Sequence, residues 1–146
     1  MIIFVCQRCG HIEFNKAPAK CKVCKAPASA FIEEPDAIKS PVNAAALTDG
    51  DRKHIPKIVI SRECGLIPGG CVDVHVKVGD IEHVMEEEHY IVYLDLYLNR
   101  EFISRVWLSP KVCHPAACWH LNAQSGSVIA VENCNVHGNW MSESAI

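Results

Sequence analysis

The sequence predicts a mainly β protein, an antiparallel β-sandwich preceded by a small metal-binding unit. Three observations predict it. Four cysteines stand as two C-x-x-C pairs near the start of the chain. From residue 55 onward, short β-branched runs alternate with Gly, Pro and Asn punctuation. No segment sustains a 3.6-residue apolar period, so helix content should be very low.

With 146 residues the chain has room for one ordinary core and a small appendage. An apolar share of 49% and a charged share of 21% are those of a soluble globular protein. No apolar run nears the roughly 20 residues that span a bilayer. The start, Met1-Ile-Ile-Phe-Val-Cys6, lacks the basic region and cleavage site of a signal peptide. The expectation is a cytoplasmic protein with no membrane attachment. A net charge of −3 without a basic tract argues against nucleic acid as a partner. Nine cysteines, an odd number, favour metal ligation over disulfides in a reducing compartment.

Residues 1–35 form the first unit. Cys6-x-x-Cys9 and Cys21-x-x-Cys24 are knuckles that can close on one tetrahedral ion. So short a unit buries little, and metal binding must contribute much of its folding free energy. Phe4, Phe14 and Phe31 are its candidate core. Residues 36–52 lack a sustained period and read as a linker with a short helical turn at Asn43–Leu47.

Residues 53–146 carry the sandwich. Strands are predicted at Ile55–Glu63, Cys71–Gly79, Tyr90–Asn99, Glu101–Ser109 and Ser127–Asn133, with a tight turn at Asn99-Arg100. Cys71–Gly79 alternates cleanly, with Val72, Val74, Val76 and Val78 inward and Asp73, His75 and Lys77 outward.

The last predicted strand runs into Cys134-Asn135-Val136-His137-Gly138. A thiolate and an imidazole three positions apart reach one metal if the backbone between them turns, and Gly138 permits a sharp exit. His54, His83 and His89 lie upstream. The six-residue spacing of His83 and His89 suits a loop that folds back on itself. Singly, each reads as a solvated loop residue; together with Cys134 and His137 they point to a five-ligand site. Cys64 and Cys71 flank a Gly- and Pro-rich hairpin loop, where a disulfide is disfavoured in the cytoplasm. Cys113, His114, Cys118 and His120 read as packed thiols and surface histidines rather than as a further metal site or redox pair. His75 is expected exposed, and His11 in a loop.

Two resemblances add to this. The run FVCQRCGHIEFNKAPAKCKVCKAPASAF resembles the rubredoxin-like domain of rubrerythrins, which implies an Fe(Cys)4 electron-transfer centre. Gly10 follows the first knuckle as in that family, whereas Lys25 stands where the second knuckle usually has glycine. Thiolate spacing leaves iron and zinc both open, the latter as in a structural zinc ribbon.

Lys53-His54-Ile55-Pro56, Val76-Lys-Val-Gly79, His83-Val-Met85, His89-Tyr-Ile91 and Cys134-Asn-Val-His137-Gly-Asn-Trp140 together resemble the superoxide reductases of the desulfoferrodoxin and neelaredoxin family. That resemblance implies an immunoglobulin-like sandwich holding one non-haem iron, with His54, His83, His89 and His137 equatorial and Cys134 axial. It also implies one-electron reduction of superoxide to hydrogen peroxide, with Lys53 beside the open position. A separate rubredoxin-type electron donor and a homo-oligomer, dimer or tetramer, would go with it. Arg52 stands where the family has a glutamate, and Val84 where it has a proline. A non-enzymatic sensor of reactive oxygen, or an electron-transfer protein using the same iron, is the competing reading.

Overall fold

The computed structural model describes residues 1–146. β1 (Ile3–Cys6), β2 (Ile12–Phe14) and β3 (Phe31–Glu33) form a small antiparallel sheet in the order β2-β1-β3. Then come β4 (Ile38–Lys39), helix α1 (Asp49–His54), β5 (Pro56–Ser61), β6 (Val72–Val78), β7 (Ile91–Leu98) and β8 (Glu101–Trp107). β9 (Ala116–Leu121), β10 (Ser127–Cys134) and β11 (Gly138–Ala145) complete the chain. These strands build a five-stranded sheet, β4-β11-β10-β7-β8, and a three-stranded one, β5-β6-β9. All their pairings are antiparallel except β4 with β11.

The two larger sheets face each other across one core. Val74, Val76 and Val78 of β6 and Trp119 of β9 meet Ile91, Leu94 and Leu96 of β7 and Val128 and Ala130 of β10. This is the expected sandwich. The N-terminal sheet adds a third layer. Its Ile3, Val5, Ile12 and Phe14 pack on Tyr97, Ile129 and Val131, the opposite face of the five-stranded sheet. Strand composition reflects the layering. β6 reads VDVHVKV, while β7 (IVYLDLYL) and β10 (SVIAVENC) are largely apolar on both faces because both are covered.

Polar contacts fasten the third layer. The Tyr97 hydroxyl donates to the Ile12 carbonyl at 2.8 Å. His11 is fully buried rather than a free loop residue, with Nε2 3.0 Å from Glu13 and Nδ1 3.6 Å from Asp95 of β7. Burial opposes its charge, but hydrogen bonds to Asp95 and Glu13 outweigh burial and hold its pKa above the usual histidine value. Asp95 also accepts two bonds from Arg105, at 2.6 and 2.7 Å.

The five predicted strands are present with their ends moved by at most two residues, and Asn99 and Arg100 both take positive φ in the turn between β7 and β8. β4, β9 and β11 are additions. The helix lies at Asp49–His54, not at Asn43–Leu47, where there is only a turn closed by Ala46 N–H on the Asn43 carbonyl. Capping decides its place. Thr48 Oγ1 accepts from Asp51 N–H and Asp51 Oδ2 accepts from Thr48 N–H, a reciprocal capping box. Pro56 disfavours further helix at Ile55. Residues 36–52, expected as linker, thus supply β4 at the sandwich edge and the start of α1.

One irregularity matters below. Tyr93 of β7 faces Asn133, but Ile91 faces Cys134, so Val92 is an extra residue against β10. No helix is long and apolar enough to cross a membrane.

Candidate metal centres

At the N-terminal knuckles, Cys6 and Cys24 sulfurs are 3.6 Å apart, as are those of Cys9 and Cys21. The two turns repeat one conformation. Gly10 N–H donates to the Cys6 carbonyl at 2.8 Å with φ +75°; Lys25 N–H donates to the Cys21 carbonyl at 3.0 Å with φ +66°. Lys25 therefore holds a left-handed conformation that glycine adopts without strain. A backbone N–H from Ala26 lowers the exposed Cys24 thiol to about 7, whereas burial pushes Cys9 and Cys21 up. Four sulfurs brought this close fit one tetrahedral ion.

The second centre lies at one end of the sandwich. Neighbouring imidazole centroids are 4.8 Å apart for His54–His83, 4.7 Å for His83–His89, 4.9 Å for His89–His137 and 4.9 Å for His137–His54. The His54–His89 diagonal is 6.5 Å. Four near-equal edges and a longer diagonal describe a square, and adjacent rings stand edge to face. Cys134 Sγ lies with the ligand atoms of His54, His83 and His89 in one cluster, and 3.7 Å from His137 Nδ1.

Each corner is held by the local chain. His54 ends α1, its Nδ1 donating to the Gly50 carbonyl at 2.7 Å. His83 Nδ1 donates to the Val84 carbonyl at 2.6 Å. Those bonds turn Nε2 inward, and the Nε2 atoms of His54, His83 and His89 are all buried without a partner. Three orphaned lone pairs converging beside a buried thiol fit a metal ion. Trp140 stacks on His54 at 5.4 Å. The His83–His89 loop folds back as the spacing predicts, Glu86 and His89 exchanging backbone hydrogen bonds.

Two residues with no assigned role in the sequence reading fix the loops together. Gly79 has φ +84°, and a Cβ there would collide with the Ile81 carbonyl and lie 2.8 Å from the Arg52 and Lys53 carbonyls. It joins the His54 helix to the His83 loop. Asn135 joins the other two corners: its Oδ1 accepts from Tyr90 N–H at 2.9 Å and its Nδ2 donates to the Glu88 carbonyl at 3.0 Å.

Burial favours the neutral form of three of the imidazoles. Burial pushes His83 down to about 4, and burial also lowers His54 and His89, with the neighbouring rings adding. Burial raises the Cys134 thiol, while the backbone N–H groups of His137 and Val136 oppose the rise. Glu132, on the same face of β10, is fully buried, has no partner for either oxygen, and burial raises its pKa well above the usual carboxylate value. Lys53 and Arg52 are exposed in the last turn of α1, and Asp51 is committed to the helix cap. Lys39 approaches from β4, its Cε 3.6 Å from where a Gly138 Cβ would sit. His75 is exposed and lies outside this square.

Comparison with known proteins matches these two parts separately. The desulfoferrodoxin family model matches residues 46–143, and the model of the rubrerythrin rubredoxin-like domain matches residues 4–32. The desulfoferrodoxin of Desulfarculus baarsii is 37% identical over 92 residues, covering 63% of each chain. That of Syntrophotalea carbinolica is 35% identical over 102 residues, covering 70% of this chain and 71% of the relative. The chain thus spans a little under two thirds of the first of these relatives. The superoxide reductase structure from Nanoarchaeum equitans superposes with a TM-score of 0.60 at 26% identity, covering 75% of this chain and 99% of that one. With a sandwich of that fold, the square of histidines at its end and the match over residues 46–143, this chain belongs to the desulfoferrodoxin family and carries a rubredoxin-like unit at its N-terminus.

Proposed function

We propose that this protein is a superoxide reductase, which adds one electron and two protons to superoxide and releases hydrogen peroxide. The observation that supports it best is the square of four imidazoles with a thiolate beside it. His54, His83, His89, His137 and Cys134 would hold the metal ion. Non-haem iron suits this donor set and, when bound, supplies the single electron.

The remaining residues gather the substrate and deliver protons. Superoxide is an anion and the protein carries a net charge of −3, so capture needs a local positive field. Lys53 and Arg52 beside His54, with Lys39 across the site, provide it. The Lys53 ammonium orders a water for proton delivery. His137 is exposed while His54 and His83 are buried, so the square opens to solvent on the His137 side, where a small anion can enter. Arg52 cannot act as the carboxylate ligand that the family carries at its position. The N-terminal cysteines hold iron for electron transfer or zinc for structure. A rubredoxin-type donor, a cytoplasmic setting and a homo-oligomer accompany this reading.

The test mixes reduced, iron-loaded protein with pulse-generated superoxide. Oxidation should be fast and should slow as salt screens the field. Lys53→Ala should slow it further at unchanged iron content. Slow oxidation indifferent to both overturns the reductase reading and favours the sensor.

A further inference from the structure

At the other end of the sandwich, the β5-β6-β9 sheet gathers ligand-type side chains that neither centre uses. β6 and β9 pair Asp73 with His120 and His75 with Cys118. Cys71 precedes Asp73 by two residues on the same face, and Cys64 comes from the loop joining β5 to β6. His120 Nδ1 is 2.9 Å from Asp73 Oδ1, 3.3 Å from Cys71 Sγ and 3.5 Å from Cys64 Sγ. Cys71 Sγ is 3.0 Å from Asp73 Oδ1. The four ligand atoms all lie within 4.8 Å of one another.

Hydrogen bonds alone account poorly for this convergence. Nδ1 carries at most one proton, yet it faces two sulfurs and a carboxylate oxygen, and thiols are weak donors. One divalent ion satisfies all four groups. Metal–sulfur bonds near 2.3 Å and metal–nitrogen or metal–oxygen bonds near 2.0–2.1 Å give tetrahedral edges of roughly 3.3–3.8 Å. The contacts here are shorter by up to about half an ångström, so an ion enters once the side chains spread by that much. The N-terminal cysteines, with sulfurs 3.6 Å apart, show the same signature.

We propose that Cys64, Cys71, Asp73 and His120 form a third metal site, a closed tetrahedral one for a zinc-type divalent ion. Two thiolates, an imidazole and a carboxylate are donors that zinc accepts, whereas magnesium and calcium prefer all-oxygen shells. Asp73 is buried although its strand alternation points it outward, because Cys64, Cys71 and His120 crowd around its carboxylate. The Cys64 loop exposes Leu66 and Ile67 and contains two glycines at positive φ, so it has little packing of its own. The ion staples it to the sheet. β6 separates the site from Gly79 by its full length, about 20 Å at the usual strand rise. The role is therefore structural and independent of the superoxide reading.

The experiment uses full-length protein with its other two centres filled, exposed to zinc sulfate and freed of loose metal. Metals per chain are counted by mass spectrometry. The wild type should hold one zinc more than Cys64→Ser or His120→Ala, with iron content and the visible spectrum of the sandwich centre unchanged. His75→Ala and Cys118→Ser should retain it. A second measurement needs no variant: zinc should slow alkylation of Cys64 in the wild type at least tenfold. Equal metal counts in wild type and Cys64→Ser, alkylation indifferent to zinc, or a Cys64–Cys71 disulfide in protein kept under reductant would overturn the proposal.

Discussion

The N-terminal cysteine centre and the histidine square are built in opposite ways. The cysteines lie within one short stretch, Cys6 to Cys24, on two turns that repeat one conformation. The square draws its corners from the end of α1, the loop after β6, the residues just ahead of β7 and the turn after β10. In the first, bound metal organises a unit too small to hold itself. In the second, a finished sandwich brings distant side chains together, and metal binds what is already assembled. A centre of the first kind should fail by unfolding its surroundings, and one of the second by losing metal while the fold survives.

The largest expected effect tests this contrast directly. Cys9→Ala should release the N-terminal ion and unfold residues 1–35, removing apparent binding energy on the order of 10 kcal/mol. Metal in the sandwich should stay. His83→Ala should do the reverse, emptying the square while amide exchange in β6, β7 and β10 remains slow. Loss of both metals in Cys9→Ala would mean that the third layer and the sandwich form one cooperative unit.

Gly79→Ala comes next. The left-handed backbone and the three crowding carbonyls should together cost about 3 kcal/mol or more, felt where α1 meets the His83 loop. Iron affinity of the sandwich centre should fall by at least a hundredfold, with the N-terminal metal unaffected. Asn135→Ala removes two hydrogen bonds between the His89 and His137 loops and should cost about 1–3 kcal/mol. Its readout is faster iron release to a chelator at nearly unchanged thermal stability of the core. The smallest effect has the opposite sign. Lys25→Gly relieves the left-handed lysine and should stabilise the N-terminal unit by about 1 kcal/mol, measured as slower metal loss from the cysteines.

The same contrast explains what the sequence could say in advance. The knuckles are legible because their geometry is local. The square is suggested by its residue types and becomes specific through resemblance, since nothing in the spacing of His54 to His83 says that they meet. Gly79 and Asn135 stand inside the quoted motifs, but their roles need the facing loop to be present. Lys39 escapes because it comes from a two-residue strand, too short to leave a pattern. The alanines at 44–46 draw a helix prediction by propensity, and the Thr48–Asp51 cap overrides it. His11 looks solvated until the third layer buries it. The Cys64, Cys71, Asp73 and His120 group depends on the β6–β9 register, and β9 itself shows too little alternation to be foreseen.

The extra residue in β7 bears on how freely this chain can change length. Side chains along a strand switch sides at every step, so Val92 shifts the phase of everything before it relative to everything after. Leu94 and Leu96 point into the sandwich, and Ile91, an odd number of positions away, does so too. Deleting Val92 would leave Ile91 opposite Cys134 in plain alternation and still facing inward, so the bulge is a place where one residue can be lost without turning His89 to the wrong side. A single insertion elsewhere between His89 and Leu98 would instead reverse the faces on one side of it unless a further bulge absorbed it. Beyond Leu98 the count no longer bears on His89, and the turns on that far side are where insertions can accumulate in relatives without disturbing the square.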